Sequence, residues 1–211
     1  MVNDNKIPKV TAKRLPLYYR YFEKLHLIGL QRISSTELSK ELQIDSATIR
    51  RDLSYLGALG KKGYGYNVNY LLNFLRDFLM HDEITNVVII GAGNLGTALL
   101  NYNFYRSRNT KVVAAFDTDR NKINNEIEGI PIYDIERLGE VIKLFRVEVA
   151  ILTVPLKVAQ EMMDMAIEAG VKGILNFTPS ILNAPLDVRV HNIDLTIELQ
   201  TLVYFLKSEN K

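Results

Sequence analysis

Glycines at 91, 93 and 96 follow the apolar run Val87-Val88-Ile89-Ile90, so Gly91-Ala92-Gly93-Asn94-Leu95-Gly96 reads G-x-G-x-x-G at the end of a strand. Each glycine has its own task toward a dinucleotide. Gly91 permits a tight turn, Gly93 lets backbone approach a pyrophosphate, and Gly96 lets the following helix lie close to the strand. The start of that helix adds unpaired N–H groups and a favourable dipole for a diphosphate. An acid, Asp117, ends the next apolar run, 21 residues beyond Gly96. A carboxylate there accepts hydrogen bonds from ribose hydroxyls and repels a 2′-phosphate, which favours NAD(H) over NADP(H). Arg120, close by, would act against that preference, and the bland role for Asp117 is a helix cap. Thr153-Val154-Pro155 and Asn176-Phe177-Thr178-Pro179 end two further strands, where open α/β sheets bind ligands. Pro155 suits the first turn of a helix. Asn176 could bond a carboxamide or merely end its strand in a turn. The candidate cofactor-binding residues are therefore Gly91, Ala92, Gly93, Asn94, Leu95, Gly96, Asp117, Thr118, Thr153, Val154, Pro155 and Asn176.

A second set of chemistry-bearing residues lies upstream. A helix capped by Asp45 or Ser46 and running through Tyr55 puts Ile49, Leu53 and Leu56 on one stripe. Its opposite face carries Ala47, Arg51 and Ser54, flanked by Thr48, Arg50 and Tyr55. A small or polar face with adjacent arginines is what a recognition helix in a major groove requires, although a solvated helix face reads the same way. The glycine-punctuated segment Gly60-Lys61-Lys62-Gly63-Tyr64-Gly65-Tyr66-Asn67-Val68 follows directly and reads as a β-hairpin wing, with lysines able to reach phosphates. Ser46, Ala47, Thr48, Arg50, Arg51, Ser54, Lys61, Lys62, Gly63 and Tyr64 are the candidate DNA-binding residues.

The elements that must position these groups can be read in order. Leu17 to Leu30 places Tyr18, Tyr21, Phe22, Leu25 and Ile28 at helical spacing. Ser34 and Glu37 are spaced as a capping box for a helix that buries Leu38 and Leu42 and ends near Gln43. The tight Gln43–Ser46 connection then outlines a helix-turn-helix. Val68, Leu71, Leu72, Leu75, Phe78 and Leu79 predict a connecting helix. From Asn86 the chain alternates: strand 86–91, a helix from Asn94, strand 111–116, a helix around 135–145, strand 147–153, a helix over 155–169 and strand 172–177. The expected class is α/β: a winged helix-turn-helix domain over 1–84, a Rossmann-type doubly wound parallel sheet over 85–192, and a C-terminal helix over 193–211. That last helix carries Leu195, Leu199, Leu202, Val203 and Leu206 on one stripe, with Ile197, Tyr204 and Phe205 off it. Apolar on more than one side, it is expected to dock against a second subunit.

Charge is uneven: 13 lysines and arginines against 9 acids up to residue 84, then 13 against 15. The basic front suits a polyanion. With no cysteine, disulfides, thiolate metal sites and thiol switches are excluded, and no metal is expected. The polar start Met1–Lys6 lacks a signal-peptide core and no run reaches bilayer length, so the expected location is cytoplasmic, with no membrane partner. The rival class is an NAD-dependent oxidoreductase, which needs an acid or base beside the nicotinamide. His26, His81 and His191 are more simply surface or interface residues, Tyr102 and Lys157 form no dehydrogenase signature, and little chain follows the nucleotide fold to bind a substrate. No catalytic residue is assigned, and a nucleotide reader joined to a DNA reader suggests a sensor.

Several motifs in order resemble those of one family, Rex, the redox-sensing transcriptional repressors of Gram-positive bacteria. They are Ile49-Arg50-Arg51-Asp52-Leu53-Ser54-Tyr55, Gly63-Tyr64-Gly65-Tyr66, Gly91-Ala92-Gly93-Asn94-Leu95-Gly96, Phe116-Asp117-Thr118-Asp119, Leu152-Thr153-Val154-Pro155 and Gly173-Ile174-Leu175-Asn176-Phe177. The resemblance implies a homodimer with a domain-swapped C-terminal helix. It also implies that NADH favours a closed form that leaves palindromic operator DNA, while NAD⁺ competes and permits repression. Coupling between the sites would fall on Arg20, Tyr102 and, from the partner's tail, Asp194. Leu195 departs from relatives that carry an aromatic residue near the nicotinamide.

Overall fold

The computed structural model of the chain describes residues 7–57, 60–61, 64–79, 84–101 and 109–208. It divides into two compact units, Met1–Asp82 and Glu83–Lys211.

The first unit runs α1 (Lys9–Leu27), β1 (Arg32–Ile33), α2 (Ser35–Leu42), α3 (Ser46–Ser54), β2 (Gly60–Lys61), β3 (Gly65–Asn67) and α4 (Val68–Leu79). Helix α1 starts eight residues earlier than the spacing from Leu17 suggests, because Pro16 lies inside it. A proline there removes one hydrogen bond to the preceding turn, but Leu15, Tyr18, Tyr19, Phe22 and Leu25 are all buried on one face and hold the helix through it. Its end also comes sooner. Gly29, at φ +76°, turns the chain so that Leu30 N–H bonds back to the Leu25 carbonyl at 3.0 Å. Ile28, expected on the core stripe, is consequently exposed.

The capping box at α2 is formed in both directions, Glu37 N–H to Ser34 Oγ at 3.1 Å and Ser34 N–H to Glu37 Oε2 at 2.8 Å. Gln43 closes α2 in the left-handed region, and Asp45 caps α3 by accepting from the N–H groups of Ala47 and Thr48. Strands β1, β3 and β2 form an antiparallel sheet in that order. Helix α4 is more than a connector: Val68, Leu71, Leu72 and Leu75 are buried in the same core as α1, Leu38, Ile49 and Leu53.

The second unit holds β4 (Thr85–Ile90), α5 (Asn94–Asn101), β5 (Thr110–Asp117), β6 (Glu126–Ile127), β7 (Ile130–Asp134), α6 (Leu138–Phe145), β8 (Val149–Leu152), α7 (Ala159–Glu168), β9 (Gly173–Asn176), β10 (Arg189–Asn192) and α8 (Leu195–Ser208). Among the described residues the sheet order is β10-β9-β8-β4-β5-β7-β6. Every neighbouring pair is parallel except β6–β7. Numbered along the chain, the parallel strands stand in the 3-2-1-4-5-6 order of dinucleotide-binding folds. Strand β4 is central and buried on both faces, as a parallel strand between helical layers must be. Val88 and Ile90 face the α6–α7 side with Met163 and Val141, while Val87 and Ile89 face Leu100 of α5. Helix α8 is exposed along its whole described length, with Leu195 at 65 % and Tyr204 at 67 % of full accessibility.

Candidate functional site

The reversal of strand order lies between β4 and β8, and the loops at their carboxyl ends carry the glycine motif and Thr153. Gly91 stands at φ +101°, and its N–H bonds the Phe116 carbonyl at 2.8 Å. A Cβ on Gly91 would meet the Thr153 carbonyl oxygen at 2.7 Å, and one on Gly96 would collide with the Gly91 carbonyl oxygen. Thr153 ties the turn from the neighbouring strand, its hydroxyl donating to the Gly91 carbonyl at 2.7 Å. Around Gly93, by contrast, nothing lies within 4 Å of where a Cβ would stand. Close packing at the first and third glycines, with open space at the second and a helix N-terminus at Asn94, fits a diphosphate. Ala92 is buried under this turn, Leu95 is half-buried and Asn94 is exposed at its mouth.

Asp117 closes β5. Its Oδ1 accepts from the N–H groups of Thr118 (2.8 Å) and Asp119 (2.9 Å), while Oδ2 receives the Lys122 ammonium at 3.1 Å. Burial pushes the carboxyl up, but the Asp119 N–H and then Lys122 outweigh it and hold the group below the usual carboxylate range. The base paired with Asp117 is thus Lys122, which the spacing had not singled out; Arg120 and Thr118 are exposed.

Two strand-end residues differ from expectation. Pro155 precedes a 3-10 turn, Leu156–Val158, and α7 begins only at Ala159, so this proline caps a turn and does not open the long helix. Asn176 is fully buried and its amide is committed. Its Nδ2 donates to the Ser180 carbonyl and to Asn192 Oδ1, both at 2.9 Å, and its Oδ1 accepts from the Thr178 N–H and hydroxyl. It is the turn-holding asparagine, and any influence on a ligand passes through the loop it pins. Val154 is half-buried beside Gly91.

In the first unit α3 buries Ile49, Leu53 and Asp52 and exposes Ala47, Arg50, Arg51, Ser54 and Tyr55, with Ser46 and Thr48 half-buried. Arg50 turns back to the helix starts, donating to Ser35 Oγ at 3.1 Å and Ser46 Oγ at 3.3 Å. Arg51 instead lines a cleft of about 420 Å³ with Ala47, Thr48, Tyr55 and Arg14. Tyr64 is exposed at the hairpin, where the Arg32 guanidinium lies 5.9 Å from its ring centre. Lys61 belongs to β2; Lys62 and Gly63 lie outside the described residues.

Sequence reasoning missed what fixes α3. Asp52, 1 % exposed, accepts from Arg14 Nε (2.6 Å) and Nη2 (2.7 Å), Tyr18 hydroxyl (2.6 Å) and Thr11 hydroxyl (2.8 Å). Burial pushes the Asp52 carboxyl up, but the hydrogen bonds from Arg14, Tyr18 and Thr11 bring it net below its ordinary value. Burial and the Asp52 bond push the Tyr18 hydroxyl up, so it stays a donor. The signal was present: Asp52 falls among Ile49, Leu53 and Leu56, and an acid on a core stripe demands a cation.

Of the three residues expected to couple the sites, Arg20 is exposed on α1, and Asp194 caps α8 through the N–H groups of Thr196 (2.8 Å) and Ile197 (3.3 Å). Tyr102 lies outside the described residues. No group of three or more metal-ligating side chains occurs among the described residues, and no helix there is long and apolar enough to cross a membrane.

Residues 82–180 match the family described as "CoA binding domain", and residues 6–54 match that described as "Putative DNA-binding protein N-terminus". The redox-sensing transcriptional repressor Rex of Bacillus licheniformis is 58 % identical over 206 residues, covering 98 % of this chain and 96 % of that protein. A crystal structure of RSP with beta-NAD+ and operator DNA superposes with a TM-score of 0.88 at 36 % identity, covering 97 % of this chain and 94 % of that one. The structure of RSP with beta-NADH gives 0.86 at 35 % identity, covering 97 % and 96 %.

Proposed function

The chain belongs to the Rex family of redox-sensing transcriptional repressors, and on that premise we propose that it is a homodimeric repressor that holds operator DNA when NADH is scarce and releases it when NADH is bound. One observation carries the reading: a single chain joins a glycine cradle with an acid at the end of β5 to a helix-turn-helix whose recognition helix leaves Arg51, Ala47 and Ser54 exposed.

Gly91, Gly93 and Gly96, with Ala92, Asn94 and Leu95, hold the pyrophosphate, and Asp117 with Thr118 receives the adenosine ribose. Thr153, Val154 and Pro155 border the nicotinamide end, and Asn176 acts through the turn it pins. Ser46, Ala47, Thr48, Arg50, Arg51 and Ser54 face the major groove, and Lys61, Lys62, Gly63 and Tyr64 form the wing. Arg50, engaged by two serine hydroxyls, suits a backbone phosphate, whereas Arg51 is the arginine for a base edge. The nucleotide is a signal and not a substrate, so the protein is not an enzyme and acts in the cytoplasm, where the operator is.

The signal is the nicotinamide's charge. An enclosed apolar pocket penalises the cationic NAD⁺ ring and spares the neutral NADH ring. A difference of about 1–3 kcal/mol between DNA-competent and closed dimers changes operator affinity roughly 5–150-fold. Asp194, reaching from the partner's tail, would exchange Tyr102 for Arg20 as the dimer moves.

The test is fluorescence anisotropy of a labelled palindromic duplex from upstream of the protein's own operon. Tight binding released by NADH, but not by NAD⁺ or equal NADPH, supports the proposal, as does loss of binding in Arg51→Ala. Binding indifferent to every nucleotide overturns it.

A further inference from the structure

The acid at the end of β5 does not stand alone. Lys122 Nζ lies 3.1 Å from Asp117 Oδ2 and 4.0 Å from Asp119 Oδ2. Its backbone is fixed: Lys122 N–H bonds the Asp119 carbonyl at 2.9 Å, and Asp119 Oδ1 caps the turn at the Asn121 N–H at 2.9 Å. The turn therefore places Lys122 within reach of the carboxylate, with its side chain 38 % exposed.

Resting on the NAD(H) reading above, we propose that Lys122 is a specificity-determining residue, which sets how strongly this chain prefers NADH to NADPH. Both lone pairs of Asp117 Oδ1 are engaged by the Thr118 and Asp119 N–H groups, so Oδ2 is the oxygen left to a ribose hydroxyl. A group bonded to Oδ2 beside Lys122 stands about 5 Å from Nζ, since two partners on one trigonal oxygen are separated by roughly that distance. A phosphate on the 2′-oxygen extends beyond it and comes within reach of an ammonium that has three donors. The carboxylate repels that phosphate; Lys122 offsets the repulsion and offers it a partner. The preference is thus a balance between two opposite charges in contact, weaker than a lone Asp117 would give.

The test is titration of the full chain with NADH and with NADPH, followed by nicotinamide fluorescence. The proteins are the wild type, Lys122→Met, Lys122→Arg, Asp117→Ser and the Asp117→Ser/Lys122→Met double variant. Serine at 117 still accepts from the turn N–H groups but carries no charge. Lys122→Met widens the NADH-over-NADPH affinity ratio by about tenfold, because close to two negative charges on the phosphate then face an unneutralised carboxylate. Lys122→Arg keeps the ratio within about twofold of wild type, as the charge is retained. Asp117→Ser gains NADPH affinity by about tenfold, and the double variant loses that gain. A wild-type protein that binds no NADH removes the NAD(H) reading itself. With NADH binding intact, an unchanged ratio in Lys122→Met overturns the role of Lys122, as does an Asp117→Ser gain that survives in the double variant. Should Lys122→Met melt at a lower temperature than wild type, the comparison between Lys122→Arg and Asp117→Ser decides, since equal ratios in those two overturn the charge balance.

Discussion

Replacing Asp52 by asparagine tests the buried polar cluster that holds α3 in the first unit. The side chain keeps its shape but loses its charge, and its Nδ2 would point a donor at a donor. Arg14, Tyr18 and Thr11, which direct four hydrogen bonds at the carboxylate, are left partly unsatisfied. Removing one partner of a buried pair costs about 3–5 kcal/mol. Arg14 retains 26 % side-chain exposure and can recover water on one side, which places the loss near the lower end, about 3 kcal/mol. A unit of this size has only about 4–12 kcal/mol to lose. Hydrogen exchange resolves the effect by segment: amides of α1 and α3 lose roughly 10²-fold protection, while β4, β5 and β8 in the other unit keep theirs. Operator binding weakens as well, because Asp52 positions α3 without facing DNA. The pH profile separates charge from packing. The folded carboxyl is held below its unfolded value of about 3.9. The pair therefore stabilises the unit fully above that pH, and the contribution is lost as pH falls through the lower folded value. Wild type should lose α3 protection on acidification below pH ~4, and Asp52→Asn should flatten that limb. The apolar pair Arg14→Met/Asp52→Leu should recover much of the stability. Protection in Asp52→Asn within about threefold of wild type, with the acid limb unchanged, would refute the reasoning.

Two further outcomes follow from the second unit. Gly96→Ala drives a Cβ into the Gly91 carbonyl oxygen and to 3.0 Å from Thr153 Oγ1, so α5 must lift from β4. NADH affinity by fluorescence titration should fall at least about tenfold, leaving DNA binding that no longer responds to NADH; unaltered affinity would contradict the cradle assignment. Deleting residues 195–211 removes α8, whose large apolar side chains are 39–67 % exposed. Sedimentation equilibrium should show a dimer for the full chain and a monomer for the truncated one, and an oligomeric state unaltered by the truncation would exclude α8 as the interface.

What could be read from the chain, and what could not, divides by the reach of the interaction. The capping box at Ser34, a cap at Asp45 or Ser46, the glycine turn and the four apolar strands read from the sequence rest on contacts within a few residues or on periodicity, and they were legible. The hairpin β6–β7 also left a local sign, since Glu128 and Gly129 both adopt positive φ in the two-residue turn between its strands, but glutamate is not the asparagine or aspartate that usually marks it. Strand β10 had no such sign. Arg189–Asn192 is mostly exposed and exists only because β9 offers an open edge. The charged groups show the same division. Asp117 could be placed by its position after a strand, but Lys122 reaches it across a turn capped by Asp119, at a separation no helix or strand period selects. Asp52 meets Arg14 across 38 residues. Asp117 was legible from its element and Lys122 gains its role from the turn that follows, whereas Asp52 and Arg14 gain theirs only when α1 packs against α3.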